Sequence, residues 1–279
     1  MAGTLFVVAT PIGNLGDFSQ RAIDTLRAVA TVYAEDTRRS RVLLDHFGVR
    51  TSLRSLHEHN EAERAGEVQH ALEGGSDVAV LTDAGTPAVS DPGAELVRRL
   101  AAAGVRVSPI PGASALTAAL SVAGFPVNDA GVLFAEFLPP KGKERAQALA
   151  RLTRHAGVAV FFEAPHRIAD TLGELAALQP SRDVCVCREL TKLYEEARRG
   201  TLAELSQWAQ EGEVKGELTL VLAPFALEAV SADEAAIDAA LSRCLAAGLS
   251  ARDAATAVAA VLELPRRDVY ARCQKLRQQ

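Results

Sequence analysis

The stretch VAVLTDAGTPAVSDPG, residues 78–93, decides how the rest of the chain is read. Its first four residues form an apolar run that predicts a buried strand. The run stops at Asp83, and the next ten residues carry two more turn-formers of each kind: Gly85 and Gly93, Pro87 and Pro92, with Asp91 between them. A helical pattern follows, apolar at Leu96, Val97 and Leu100, with Gly104 placed to close it. A long, stiff loop at the C-terminal end of a strand is where open α/β sheets bind ligands. The competing reading is a rigid strand–helix connection with no further role.

Working outward, the same strand–loop–helix unit recurs. Leu5–Ala9 predicts a first strand that stops at Thr10-Pro-Ile-Gly13, because Pro11 has no amide to donate and Gly13 permits a sharp turn. Asp17 or Ser19 can cap the helix after it. Further strands are expected at Thr31–Ala34, Leu53–Leu56 and Val105–Ile110, with Asn60 capping a helix that ends at Gly74-Gly75. Five strands alternating with helices predict a mostly parallel sheet covered on both faces. Gly124-Phe-Pro126 interrupts this rhythm. A second, less regular α/β unit follows, with strands at Val132–Phe137, Val158–Phe162, Asp183–Arg188 and Leu218–Leu222 and a helix at Thr201–Gln210. An Ala-rich tail then reads as three short helices. The expected division is 1–123, 124–226 and 227–279.

The 279 residues are 48% apolar and 23% charged, enough for real cores and against wholesale disorder. A formal charge of −5 gives no global field for nucleic acid, so any such partner must be met locally. The tail offers one such place: from Leu241 to Gln279, seven Lys/Arg stand against three acids. No apolar run reaches membrane-spanning length and no signal-peptide pattern is present, so a soluble cytoplasmic protein is expected. Of the four cysteines, Cys185 and Cys187 fall in one expected strand, where they are assigned to opposite faces; no metal-ligand spacing accompanies them, which favours reduced thiols.

In a parallel sheet, the loops Thr10–Gly13, Thr82–Gly93 and Pro111-Gly-Ala-Ser114 gather at one edge and line one crevice. Their glycines allow close backbone approach, and Thr86 and Ser114 offer hydroxyls. GxGxxG, GxxxxGK[ST] and G-x-S-x-G are all absent, which argues against dinucleotide, P-loop and α/β-hydrolase chemistry. Glu35 and Asp36 end a strand beside Arg38, where they serve either as a base or as a cap with a salt bridge. His57-Glu-His59 lacks a third ligand, so no metal is expected. Lys141, Lys143 and Arg145 read as a solvated face or as a phosphate clamp. Arg188 to Lys192 with Glu195 and Glu196 reads as an ion-pair network.

ATPIGNLGD, AEDTRRSR, HEHNE, DAGTPAVSDPG, PGASAL, FLPPK, FFEAPHR, RELTKLYEE and KGELTLVL occur in this order over residues 3–224. Together they resemble the ribosomal RNA small-subunit methyltransferase I family of the tetrapyrrole methylase superfamily. One departure is the basic loop, LPPKGK, whose second basic residue stands further from the prolines than the family pattern implies. The resemblance implies two α/β domains with S-adenosylmethionine in the cleft between them, a homodimer, and 2′-O-methylation of a cytidine ribose in 16S rRNA of the small subunit. It places the cofactor at Pro11, Ala84, Gly85, Thr86, Val89, Ser114 and Ala115, with Phe162 and Leu190 from the second domain. The catalytic base falls at Glu35 or Asp36, oriented by Arg38. Lys141, Lys143, Arg145, Arg266 and Arg267 are expected to hold rRNA phosphates, which gives affinity without sequence choice. Two alternatives stand: the same chemistry on a small molecule such as a tetrapyrrole, or a ribosome-binding module that does not catalyse.

Overall fold

The computed structural model describes residues 2–57, 60–225, 234–246, 250–261 and 264–276. The chain divides into two compact units, Met1–Pro224 and Phe225–Gln279.

The first unit holds two five-stranded sheets. In one, β1 (Thr4–Val8), β2 (Thr31–Ala34), β3 (Ser52–Ser55), β4 (Val78–Leu81) and β5 (Arg106–Ile110) are all parallel, in the order β3-β2-β4-β1-β5. Helices α1 (Gln20–Ala28) and α2 (Thr37–His46) belong to one face, α3 (Glu61–Glu73) and α4 (Ala94–Ala102) to the other. β4 shows why its sequence is apolar without alternation. Ala79 and Leu81 join the core with Leu26 and Leu44, while Val78 and Val80 join the opposite core with Leu72, Leu96 and Leu100. All four residues are buried, and each large one contributes about 1.5–3 kcal/mol of hydrophobic stabilisation. Ser19 caps α1 by accepting from the Ala22 amide, whereas Asp17 sits in a 3-10 turn. Asn60 precedes α3, but its side-chain oxygen accepts from the His57 amide at 2.8 Å and caps nothing in the helix.

α5 (Ala115–Ala123) follows β5 but covers the second sheet, where Ala119 and Ala123 pack with Val158, Val160, Cys185 and Val221. That sheet is mixed: β6 (Val132–Phe137), β7 (Val158–Glu163), β8 (Asp183–Arg188), β9 (Glu196–Thr201) and β10 (Leu218–Leu222), in the order β6-β7-β10-β8-β9. Only β6 and β7 run parallel. Its other face is covered by α6 (Gly142–Arg154), α7 (Ile168–Leu178) and α8 (Leu202–Glu211). β9 (EARRGT) has no counterpart among the expected strands. It is an edge strand with Arg198 and Arg199 exposed, and charged edges resist unwanted pairing while hiding the strand pattern. The cysteines also need correcting. Residues two apart in a strand share a face, so Cys185 and Cys187 lie side by side with their sulfurs 3.6 Å apart, both free and buried.

The second unit is the expected set of three helices: α9 (Glu234–Ala246), α10 (Ala251–Val261) and α11 (Arg266–Leu276). Leu241, Ala254, Ala255, Val258, Val269 and Cys273 form its core. Arg272 forks onto Asp238 at 2.5 and 2.8 Å, which ties the last helix to the first. Among the described residues, no helix is long and apolar enough to cross a membrane.

Candidate functional site

The loops after β1, β4 and β5 meet at the C-terminal edge of the parallel sheet. Thr10 and Gly85 pair as an antiparallel bridge, the Thr10 amide donating to Gly85 O (2.8 Å) and the Gly85 amide to Thr10 O (3.1 Å). The buried Thr10 hydroxyl donates to Thr82 O at 3.1 Å. Gly85 has φ +85°, a left-handed backbone that strains any side chain, so this turn favours glycine. Thr86 completes the stitching by donating to Ala113 O at 3.2 Å.

These loops form one wall of a cavity of about 670 Å³, within the range of small-molecule sites. Seven of the nine residues expected at the cofactor line it: Ala84, Gly85, Thr86, Val89, Ser114, Ala115 and Phe162. Pro11 and Leu190 do not line it. Pro11 is followed by Ile12, which does, and Leu190 is only 8% exposed and packs with Ile12 in the core behind the wall. Glu189, held at φ +51°, reaches the cavity in its place. Ser114 is the N-cap of α5 yet makes no side-chain cap, so the unpaired first-turn amides of that helix open at the cavity edge. The Phe162 ring is braced by Phe134 and Phe137, with centroids at 5.2 and 5.3 Å.

The opposite wall is ionic. Glu163, with only 2% of its surface exposed, is paired with Arg167, lies 3.8 Å from Arg145 and accepts from the Thr171 hydroxyl at 2.7 Å. Lys192 bridges Glu189 (2.9 Å) and Glu217 (3.0 Å). Burial alone would lower the Lys192 pKa, but its bonds to the two carboxylates outweigh that and raise it. The Glu217 amide and Lys192 together hold the Glu189 carboxyl below its usual range. The network foreseen in RELTKLYEE therefore exists, and its Glu189–Lys192 pair also walls the cavity, while Arg188 pairs with Glu196 (3.2 Å) away from it.

A set of acids lies at the same sheet edge. Asp36 caps α2 through the Arg38 amide (2.8 Å) and is held in a fork by the Arg38 guanidinium at 3.3 and 3.2 Å. Those bonds keep its carboxyl below the usual range. Glu35 accepts from the Thr82 hydroxyl at 3.1 Å. Asp83 accepts from the Asp36 amide (3.1 Å) and from Arg39 (3.3 Å). None of these acids lines the cavity. Asp91 does, beside Ser90, whose buried hydroxyl oxygen has no hydrogen-bond partner. The helix that follows is entered through Gly93 at φ +119°, two residues after Asp91.

Among the expected phosphate ligands, Lys141 and Lys143 are exposed at the start of α6, and Arg266 and Arg267 are exposed on the first turn of α11. Arg145 is a correction. It is 7% exposed, and its guanidinium is spent on Glu174 (2.5 Å), Thr171 (2.8 Å) and Pro139 O (3.1 Å). Two residues rotate a helix by about 200°, which separates the outward Lys143 from the inward Arg145, and Arg145 braces the Leu138–Lys143 loop from below. Among the described residues, no group of three or more His, Cys, Asp or Glu could hold a metal ion. Glu58 and His59 lie outside the described residues.

The sequence profile of the tetrapyrrole (corrin/porphyrin) methylases matches residues 4–206, and that of the RsmI C-terminal HTH domain matches residues 231–277. The chain is 41% identical over 273 residues to a ribosomal RNA small subunit methyltransferase I of Halalkalibacterium halodurans, covering 96% of this chain and 93% of that one. It is 44% identical over 275 residues to the protein of the same name in Mesorhizobium japonicum, covering 98% and 92%. A crystal structure of diphthine synthase shares the fold at TM-score 0.61 and 16% identity, over 79% of this chain and 89% of that one. The chain belongs to the tetrapyrrole methylase family, in the branch whose members are called ribosomal RNA small subunit methyltransferase I.

Proposed function

We propose that this protein uses S-adenosylmethionine to methylate the 2′-hydroxyl of a cytidine ribose in 16S rRNA of the small ribosomal subunit. The observation that carries this reading is the cavity, in which an apolar, backbone-rich wall faces an ionic one at the C-terminal sheet edge. Two of its features suit that cofactor. The open amides of α5 favour a carboxylate, and the unpartnered Ser90 hydroxyl offers a polar contact. When bound, the cofactor supplies a sulfonium methyl group. The chain's own task is to hold the ribose oxygen close and in line, which is where most of the acceleration in such a transfer arises. The names of the relatives support rRNA as the substrate.

The test is mass mapping of 16S rRNA after small subunits lacking the modification are incubated with the protein and S-adenosylmethionine. We expect one added methyl on a cytidine ribose; methylation of a base, or of no nucleotide, would overturn the reading. Lys141→Glu/Lys143→Glu is expected to weaken small-subunit binding at least about tenfold and flatten its salt dependence, because two phosphate contacts become repulsions. Calorimetry should show cofactor affinity unchanged in this variant. If subunit binding also persists, the lysines do not contact RNA.

A further inference from the structure

We infer that the proton acceptor for the ribose hydroxyl is Asp91, on the same loop as the proposed cofactor wall. The inference rests on the methyl-transfer reading above and names the residue that completes it.

Three observations select Asp91 from the acids at this edge. The first is position, since among Glu35, Asp36, Asp83 and Asp91 only Asp91 lines the cavity. The second is occupation. Asp36 is committed to capping α2 and to Arg38, and Asp83 to the Asp36 amide and Arg39, whereas Glu35 shares the Thr82 hydroxyl with Asp91 and is set apart from it by position alone. The third is the backbone that presents Asp91. Ala88 (φ +67°) and Ser90 (φ +63°) both lie in the left-handed region, which costs a non-glycine residue on the order of 1 kcal/mol or more. The helix that follows does not require this, because it starts at Gly93. Strain concentrated around one cavity-lining acid and one unpartnered hydroxyl is what a site built to meet a substrate would show.

The electrostatics agree. Burial, the largest influence, pushes the Asp91 carboxyl up; the Thr82 hydroxyl pulls it back, Glu35 and Asp83 repel its charged form, and the result is about 6. The other charged groups lining the cavity, Glu163, Glu189, Glu217 and Lys192, are engaged with one another or with Arg145 and Arg167. A carboxylate near 6 is still ionised at neutral pH, yet it is a far better base than one near 4. In the step itself the 2′-oxygen forms a bond to the methyl carbon as the carbon–sulfur bond breaks. The electron pair of that bond goes to sulfur, and the hydroxyl proton goes to an Asp91 oxygen and then to water.

The experiment is single-turnover methyl transfer to small subunits from a strain lacking the enzyme, followed from pH 5 to 9. The wild-type rate should rise with pH through about 6 and then level, because the acceptor must be unprotonated. Asp91→Asn is expected to lower the plateau at least about 100-fold and abolish the acid limb. S-adenosylmethionine affinity by calorimetry and subunit binding by gel shift should stay within about threefold of wild type. Glu35→Gln is the second arm: removing a repelling charge should move the wild-type limb to lower pH, which a merely structural acid would not do. An Asp91→Asn enzyme that keeps more than a tenth of the rate, or a Glu35→Gln limb that stays in place, overturns the inference. Wild-type protein that transfers no methyl overturns the methyl-transfer reading itself, and the inference falls with it.

Discussion

Arg182→Met is expected to destabilise the first unit by more than about 4 kcal/mol, enough to leave little folded protein at 37 °C given typical domain stabilities of about 5–15 kcal/mol. Arg182 is 1% exposed, among the largest fully buried side chains of the protein. Its guanidinium donates to Ala223 O (2.8 Å), Leu152 O (3.0 Å), Gln179 Oε1 (3.0 Å), Gly157 O (3.1 Å) and His155 O (3.2 Å). Those acceptors come from the end of α6, the turn into β7, the end of α7 and the exit of β10. A single planar fork therefore satisfies carbonyls that secondary structure leaves unpaired at one corner of the mixed sheet. Burial lowers the Arg182 pKa to about 10, which still leaves it charged at neutral pH. Methionine fills much of the space but donates nothing, and each stranded buried acceptor costs about 1–3 kcal/mol. Arg182→Lys should fall between, since an ammonium has three donors and no fork. Urea unfolding measures both variants. A loss under about 1 kcal/mol for Arg182→Met would show that water replaces the guanidinium.

The second large effect belongs to the cavity. Ala115→Trp is expected to weaken S-adenosylmethionine binding at least about 100-fold, about 2.7 kcal/mol, while leaving the fold intact. Ala115 lines the cavity as the first residue of α5, a position where side-chain size hardly affects helix formation. An indole there occupies the space beside Ser114 and Thr86 that the cofactor needs. The melting temperature should move by only a few degrees. Ala115→Ser, which adds one atom, should keep affinity within about fivefold, and the contrast separates occlusion from chemistry. Tight binding by the tryptophan variant would place the cofactor elsewhere.

Most of the fold was legible because its strands carry their own signals. Val78–Leu81 is apolar on both faces because helices cover both faces, and its limits agree with the structure residue for residue. The same holds for Thr31–Ala34, Val132–Phe137, Asp183–Arg188 and Leu218–Leu222. β9 was missed because an edge strand needs no apolar alternation. Asn60 looked like a cap by its neighbours, yet its side chain found the His57 amide first. The candidate site was half legible. The small-residue loops drew attention for the right reason, since Thr10 and Gly85 do approach closely enough to share two backbone bonds.

Side-chain direction was not legible. Lys143 and Arg145 are two residues apart in the first turn of α6, but one faces solvent and the other is buried. Leu190 and Glu189 are neighbours, and a left-handed backbone at Glu189 decides which of them meets the cavity. Asp91 and Gly93 stand two residues apart in one turn, yet Gly93 opens α4 while Asp91 lines the cavity.

The sequence by itself determined the alternation of strands and helices, the crevice loops after β1, β4 and β5, and the helical tail. Periodicity, glycine and proline act over a few residues, and that is the range a linear reading resolves. Only the tertiary structure decided that α5 crosses to the second sheet, that Glu163, Glu189, Lys192 and Glu217 form the facing wall, and which acid at the sheet edge lines the cavity. Those outcomes depend on burial and on competition for hydrogen-bond partners between residues 47 to more than 100 positions apart, such as Glu35 with Thr82 and Gly13 beside Lys192. No local pattern encodes such competition, because its result is settled only when the loops meet.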